Sequence, residues 1–383
     1  MNTDSAQPRR HIPRGEDFLL LSPTWQAYAY RNVDSMFATR RIARGEQAFP
    51  LARGPEIAPR YERDGALLGV EDYIERTNVA GLLVLRGDTI LLERYALGLE
   101  ENLRWSSMSM IKSLTSTLVG AALQDGAIAS LDDAVSGYLP ALRGSAYDAV
   151  SIRHLITMSS GVDWNENYTD RNSHVNRYSK SLGDKVPGGV LALMRSVRGL
   201  HPPGSHFNYN TGDTYVLGAL LSAATGQTLA DYMSRKVWAR FGMEFDAFYT
   251  LESEGGQEIG GSRAGMALRD FGRFGLFLLR DGMIGGERVL PEGWLDAAGA
   301  RVFAIEPDTN NYGANGYGYS WWIDPDGAMV AVGFAGQTLY VNRQANLVIV
   351  TLSCHPQPPF AASFATDFKA ERFAFKKAVL AAL

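Results

Sequence analysis

Apolar residues recur along this chain at two different periods. Between Ala80 and Tyr95, the stretch A-G-L-L-V-L-R-G-D-T-I-L-L-E-R-Y holds two apolar runs around a Gly-Asp turn, the pattern of a β-hairpin. From Ser109 to Gln124 the period changes: Ile111, Leu114, Leu118, Ala121 and Ala122 recur three or four residues apart, which predicts a helix, and Gly126 is placed to stop it. The segment Asp125–Gly242 reads as helix and loop with little strand signal. Asp213–Ala224 is a helix ended by Gly226, and Thr228 with Asp231 resembles a capping box opening a helix up to Phe241. After Gly260, Phe271, Phe274, Leu278 and Leu279 line one face of a further helix. Strand patterns return at Tyr319–Ile323, Met329–Gly333, Gln337–Asn342 and Leu347–Ser353, with N-R-Q-A-N as a hairpin loop, and a terminal helix follows from Asp367.

Strands near both ends and helices between them predict a mixed α/β (α+β) fold. One central antiparallel sheet, built from both ends and flanked by helices, carries an inserted, mostly helical domain. The expected divisions are an N-terminal wrapping arm over 1–70, a sheet domain over 71–125 and 243–383, and the helical insertion over 126–242.

Composition narrows the function classes. The chain has 383 residues, 46% hydrophobic and 20% charged, an ordinary globular balance able to bury a large core. Its net charge is −4 and no basic stripe is present, which argues against nucleic acid as a partner. No apolar run approaches a membrane span, and M-N-T-D-S-A-Q-P-R-R-H has no apolar core of signal-peptide type, so a cytoplasmic location is expected. The one cysteine, Cys354, lies in an apolar run and reads as a buried thiol. The six histidines show no metal-ligand spacing, neither a phosphate loop nor a dinucleotide fingerprint in context is present, and no cofactor is expected. R-G-D at Arg86–Asp88 is a hairpin tip. D-F-G at Asp270–Gly272 lacks the catalytic loop and strand lysine of a kinase. Nothing in the sequence specifies an oligomeric state.

The candidate chemistry is W-S-S-M-S-M-I-K-S-L-T-S, Trp105–Ser116. Ser109 is the only serine in the chain with a lysine three residues later, a spacing that puts Ser109 and Lys112 on one helix face. A serine hydroxyl needs a base to become a nucleophile. A lysine surrounded by Met108, Met110, Ile111 and Leu114 can serve if burial lowers its pKa. The other four serines read as helix start and surface. A second cluster, H-P-P-G-S-H-F-N-Y-N-T-G-D, places Tyr209 in a loop just before a helix, where it can pass a proton. In a third, V-G-F-A-G-Q-T-L-Y-V, the N–H of Gln337 can complete an oxyanion hole. No G-x-S-x-G elbow is present, which disfavours an α/β-hydrolase triad.

Taken in order, five blocks carry a resemblance: S-M-I-K at 109–112, V-S-I-R-H-L-I-T-M-S-S-G-V at 150–162, P-G-S-H-F-N-Y-N-T at 203–211, R-D-F-G-R-F-G-L-F-L-L-R-D-G at 269–282 and G-F-A-G-Q at 333–337. Together the chain resembles the serine β-lactamase and penicillin-binding-protein-like superfamily, closest to class C-like esterases and 6-aminohexanoate-dimer (nylon oligomer) hydrolases. The resemblance implies the β-lactamase/transpeptidase-like fold, with Ser109 as nucleophile, Lys112 as its base and Tyr209 as proton relay. It implies an oxyanion hole from the N–H groups of Ser109 and Gln337, and a substrate contact from Tyr168 in the loop D-W-N-E-N-Y-T-D at 163–170. Thr211 stands where the family usually has Asn, and Phe334-Ala335-Gly336 stands where it has K-T-G or H-x-G. The missing cation argues against efficient β-lactam hydrolysis and for small ester or amide substrates. Trp164, Tyr168, Trp321 and Phe334 are the expected pocket lining, with Thr211, Gly336 and Gln337 at the substrate. The alternatives are a β-lactamase or D-alanyl peptidase and, from a different class, an inactive ligand-binding member of the fold.

Overall fold

The computed structural model describes Gly15, residues 17–357 and residues 366–383. Its main sheet has nine strands: β1 (Ala52–Arg53), β2 (Val79–Arg86), β3 (Thr89–Tyr95), β4 (Phe303–Ala304), β5 (Gly316–Tyr317), β6 (Trp322–Ile323), β7 (Met329–Gly333), β8 (Gln337–Asn342) and β9 (Leu347–Ser353). Their spatial order is β4-β5-β6-β7-β8-β9-β2-β3-β1. Every pairing is antiparallel except β1 on β3. The N-terminal hairpin β2–β3 thus docks beside the last strand of the chain, so both ends build one sheet. β7, β8 and β9 have the predicted bounds, and Gly87 takes a positive φ of 56° in the two-residue turn between β2 and β3.

Three helices, α1 (Met110–Gln124), α3 (Leu268–Leu279) and α4 (Phe368–Ala381), frame the sheet, and α2 (Thr211–Thr225) packs against α1. Helix α3 lies on one sheet face. A Cβ at Gly272 would sit 2.6 Å from Leu83 and one at Gly275 2.7 Å from Val348, so glycines three residues apart let the helix approach the strands closely. Helix α4 covers the other face, where Phe375 and Val379 pack with Tyr73, Leu82, Val84 and Tyr340. The Thr228 cap forms, accepting from the Asp231 N–H at 3.1 Å, but the helix it opens turns through a π-helical stretch at Ser234–Trp238 before Phe241.

In the described part of residues 1–70, Phe18, Tyr30, Val33 and Phe37 are buried in the main core. Thr39–Ile42 pairs antiparallel with Ala247–Thr250 in a second, four-stranded sheet that also holds Trp105–Ser106 and Gly265–Met266. The residues before Gly15 lie outside the described ones. Among the described residues, no helix is long and apolar enough to cross a membrane. Cys354 is buried.

Candidate active site

The nucleophile candidate sits where a strand becomes a helix. Trp105–Ser106 is held in the small sheet, Met108 takes a left-handed φ of 46°, and Ser109 is the N-cap of α1. A non-glycine residue in that region is uncommon and marks a backbone held by its surroundings. Here the Ser107 N–H donates to the Ala264 carbonyl at 2.6 Å, and the Met110 N–H to the Ser107 carbonyl at 3.0 Å.

The four other serines of the stretch are buried, not on the surface as the sequence suggested. Helix α1 is buried on all sides from Met110 to Ala122, so its small polar side chains must find partners inside. Ser113 Oγ donates to the Ser320 carbonyl at 2.5 Å, Ser116 Oγ to Tyr319 at 2.8 Å and Thr115 Oγ1 to Gly260 at 2.8 Å.

Lys112 lies one turn inside α1 with its side chain 1% exposed. Its Nζ is 2.9 Å from Ser109 Oγ and donates to the Gly261 carbonyl at 2.6 Å. Burial brings the ammonium pKa down to about 7; the Glu166 carboxylate pulls it back up and the Arg263 guanidinium depresses it further. Gly261 can supply its carbonyl because it has no side chain: a Cβ there would fall 2.3 Å from Thr214 Oγ1 on α2.

Tyr209 precedes α2, and its ring centroid is 5.2 Å from Lys112 Nζ. Burial, then the Glu166 charge, push the phenol well above its ordinary value, while contact with the Ser109 side chain acts the other way. Tyr209 is therefore protonated at neutral pH, with a base and a hydroxyl beside it. The Asn210 side chain caps α2, accepting from the Asp213 N–H at 3.1 Å, and fixes where Tyr209 leaves the helix.

The loop over 163–170 converges on a residue that sequence reasoning did not single out. Glu166 accepts from Trp164 Nε1, from the Tyr168 hydroxyl at 2.9 Å, from the Thr211 N–H at 3.2 Å and from Thr211 Oγ1. One carboxylate thus ties the loop to the N-terminus of α2, where the helix dipole favours an anion. Thr211, in the place of the family's Asn, holds this carboxylate. The signal was present as an acidic residue two positions from each of two aromatic donors, yet a charge in a polar loop ordinarily reads as solvated.

Phe334 packs its ring 4.9 Å from that of Tyr168, and the two line a narrow cavity with Ser109, Met108 and Thr211. Beyond Phe334 the backbone turns through Ala335 (φ 59°) and Gly336 (φ 93°) into β8. A Cβ at Gly336 would fall 2.4 Å from the His355 ring, so only glycine fits. The Gln337 side chain is fully buried and acts as a lock: it accepts from Trp105 Nε1 at 2.9 Å and from the Ser353 N–H at 3.0 Å, and donates to the Ser353 carbonyl at 2.8 Å. It ties β8 to the strand that leads into Ser109. At the end of β7 a Cβ on Gly333 would fall 2.6 Å from the Ser107 carbonyl, which shows how closely the two segments approach.

Two of the expected lining tryptophans sit elsewhere. Trp321 is 1% exposed in the main core, and Trp322 instead stacks on Tyr209, with ring centroids 5.6 Å apart. Neighbouring strand residues face opposite sides, and Ser320 (φ 57°) sets which one faces the site. Trp164 is buried behind the loop, stacked on His174, and reaches the site through Glu166. Ser109, Tyr168, Thr211 and Phe334 line one cavity, and Lys112 and Tyr209 gather at Ser109 beside it.

Comparisons with known proteins place the fold and the family. The β-lactamase family model matches residues 70–372. The 6-aminohexanoate-dimer hydrolase of Paenarthrobacter ureafaciens is 30% identical over 347 residues, 86% of each chain. A Bacillus anthracis structure described as a 6-aminohexanoate-dimer hydrolase superposes with a TM-score of 0.81 at 22% identity, covering 93% of this chain and 94% of that one. EstCE1, a hydrolase with promiscuous acyltransferase activity, superposes with a TM-score of 0.63 at 17% identity, covering 81% and 96%. The chain therefore belongs to the β-lactamase family, and it is a serine amide or ester hydrolase.

Proposed function

We propose that this protein cleaves a small amide or ester through an acyl-enzyme on Ser109, with Lys112 as base and Tyr209 as proton relay. The observation that carries the reading is Lys112 Nζ, buried 2.9 Å from Ser109 Oγ with its pKa brought down to about 7. Neutral Lys112 takes the Ser109 proton as Oγ bonds to the substrate carbonyl carbon. The N–H groups of Ser109 and Gln337 receive the oxyanion. Tyr209 gives its proton to the leaving nitrogen or oxygen and recovers one from the Lys112 ammonium. Water then adds to the acyl-ester under the same pair, and the acid leaves as Ser109 regains its proton.

The relative from Paenarthrobacter acts, by its name, on the 6-aminohexanoate dimer, a linear amide, so amides belong in the substrate survey. A β-lactamase or D-alanyl peptidase is the weaker reading. The segment at 334–336 offers an apolar ring packed on Tyr168 and no cation for a β-lactam carboxylate. A role in binding alone gives no reason to hold a lysine near neutrality against a serine hydroxyl.

The test is hydrolysis of a short-chain p-nitrophenyl ester by wild type and Ser109→Ala. The expected result is turnover that drops by at least about 10³-fold in the variant. Equal turnover in both proteins would overturn the assignment.

A further inference from the structure

Arg263 is 1% exposed, and its guanidinium lies 5.3 Å from the ring centre of Phe18 and 5.2 Å from that of Phe37. Nη2 donates to Ser179 Oγ at 3.0 Å; Nε and Nη1 have no partner among the described residues. No described carboxylate pairs with it, and the ionisable groups facing it are the phenols of Tyr178, Tyr30 and Tyr168 and the amine of Lys112. Two further buried polar atoms, Tyr178 Oη and Ser262 Oγ, lie beside it; they face each other and have no other hydrogen-bond partner among the described residues. Arg263, Tyr178, Ser179 and Ser262 line the cavity that Ser109, Tyr168 and Phe334 line. A buried cation without a counter-ion is costly, and unmet donors gathered in one cavity mark a place for an acceptor. Arg263 also holds a left-handed φ of 61°, a backbone conformation that persists only where the surroundings enforce it.

The geometry points to Arg263 as a specificity-determining residue that binds a carboxylate at the far end of the substrate's acyl chain, with Tyr178 and Ser262 as additional donors. The inference rests on the acyl-enzyme reading given above. The acyl side is indicated because Tyr209, which serves the leaving group, is not part of the cavity lining, whereas Ser109 is. With a volume of about 20 Å³ the cavity is narrow, which disfavours a ring and restricts the acyl group to a short, unbranched chain. The preferred substrates are then monoesters or monoamides of a short dicarboxylic acid. An acyl chain ending in an ammonium, as in the linear 6-aminohexanoate dimer, would meet the guanidinium charge.

The experiment compares the p-nitrophenyl ester of pentanoate with the mono-p-nitrophenyl ester of glutarate, each rate corrected with Ser109→Ala for spontaneous and neighbouring-carboxylate hydrolysis. Wild type is expected to favour the glutaryl ester by tenfold or more in kcat/KM, and Arg263→Gln to reduce that ratio by tenfold or more. A second measurement uses the wild type alone: glutarate should inhibit pentanoyl-ester turnover at a concentration at least tenfold below that of pentanoate. Ser109-dependent turnover with no glutaryl preference and no stronger inhibition by glutarate would overturn the inference and mean that the donors are met by water. If no ester is cleaved in a Ser109-dependent way, the acyl-enzyme reading fails instead. Calorimetric binding of glutarate to Ser109→Ala, lost on Arg263→Gln, would still decide the carboxylate site.

Discussion

In the proposed mechanism the chemistry turns on Lys112, because its environment decides its charge at neutral pH. With a pKa of about 7, the neutral form that can accept the Ser109 proton grows as pH rises through that value. We expect kcat/KM to rise through about pH 7 and then level off, since the phenol of Tyr209 stays protonated well beyond it. A flat profile from pH 5 to 9 would remove Lys112 from the base role. Glu166 pulls the lysine pKa upward, so Glu166→Gln should move the acidic limb to lower pH. The same change weakens the bonds from Tyr168 and Thr211, and we expect a stability loss of about 1–3 kcal/mol in denaturant titration. Tyr209→Phe keeps the ring against Trp322 and removes only the proton; a fall in kcat of about 10²–10⁴ with little change in KM is expected from stopped or continuous assays.

At the scale of elements, the site depends on close approaches that single side chains permit or enforce. Gly261→Ala would push a Cβ to 2.3 Å from Thr214 Oγ1 and displace the carbonyl that holds Lys112. Activity should fall more than thermal stability does, which paired kinetic and melting measurements would show. Gln337→Leu removes the bonds to Trp105 Nε1 and to both backbone groups of Ser353, leaving buried polar atoms unpaired. A destabilisation of about 2–5 kcal/mol is expected from urea unfolding. The periodic elements were legible beforehand: β7, β8 and β9 and the core of α1 follow directly from alternating or helical apolar spacing. The choice between Trp321 and Trp322 was not, because a left-handed residue at Ser320 resets the alternation and nothing in the local pattern announces it.

For the molecule as a whole, a buried lysine couples the active site to folding. Its pKa is near 10.4 in an unfolded chain and about 7 when folded, so between those values the unfolded state binds the extra proton. Stability contributed at this site is therefore full above about pH 10 and is lost as pH falls toward 7. Relative to Lys112→Met, wild-type unfolding free energy should climb by about 1.4 kcal/mol per pH unit between pH 7.5 and 9.5. Parallel stability curves for the two proteins would show that the lysine is not desolvated as the structure has it.

The sequence by itself was enough to single out Ser109, Lys112 and Tyr209 as candidates, because spacing along a helix and a turn before a helix are local properties. It also determined the hairpin, the closing strands and the family. Only the tertiary structure decided that Glu166 gathers Trp164, Tyr168 and Thr211 around one carboxylate, that Gln337 locks β8 to Trp105, and that Arg263 enters the cavity without a counter-ion. Each of these joins residues distant in sequence, and burial, which sets the strength of a charge or a hydrogen bond, is a property of the packed chain.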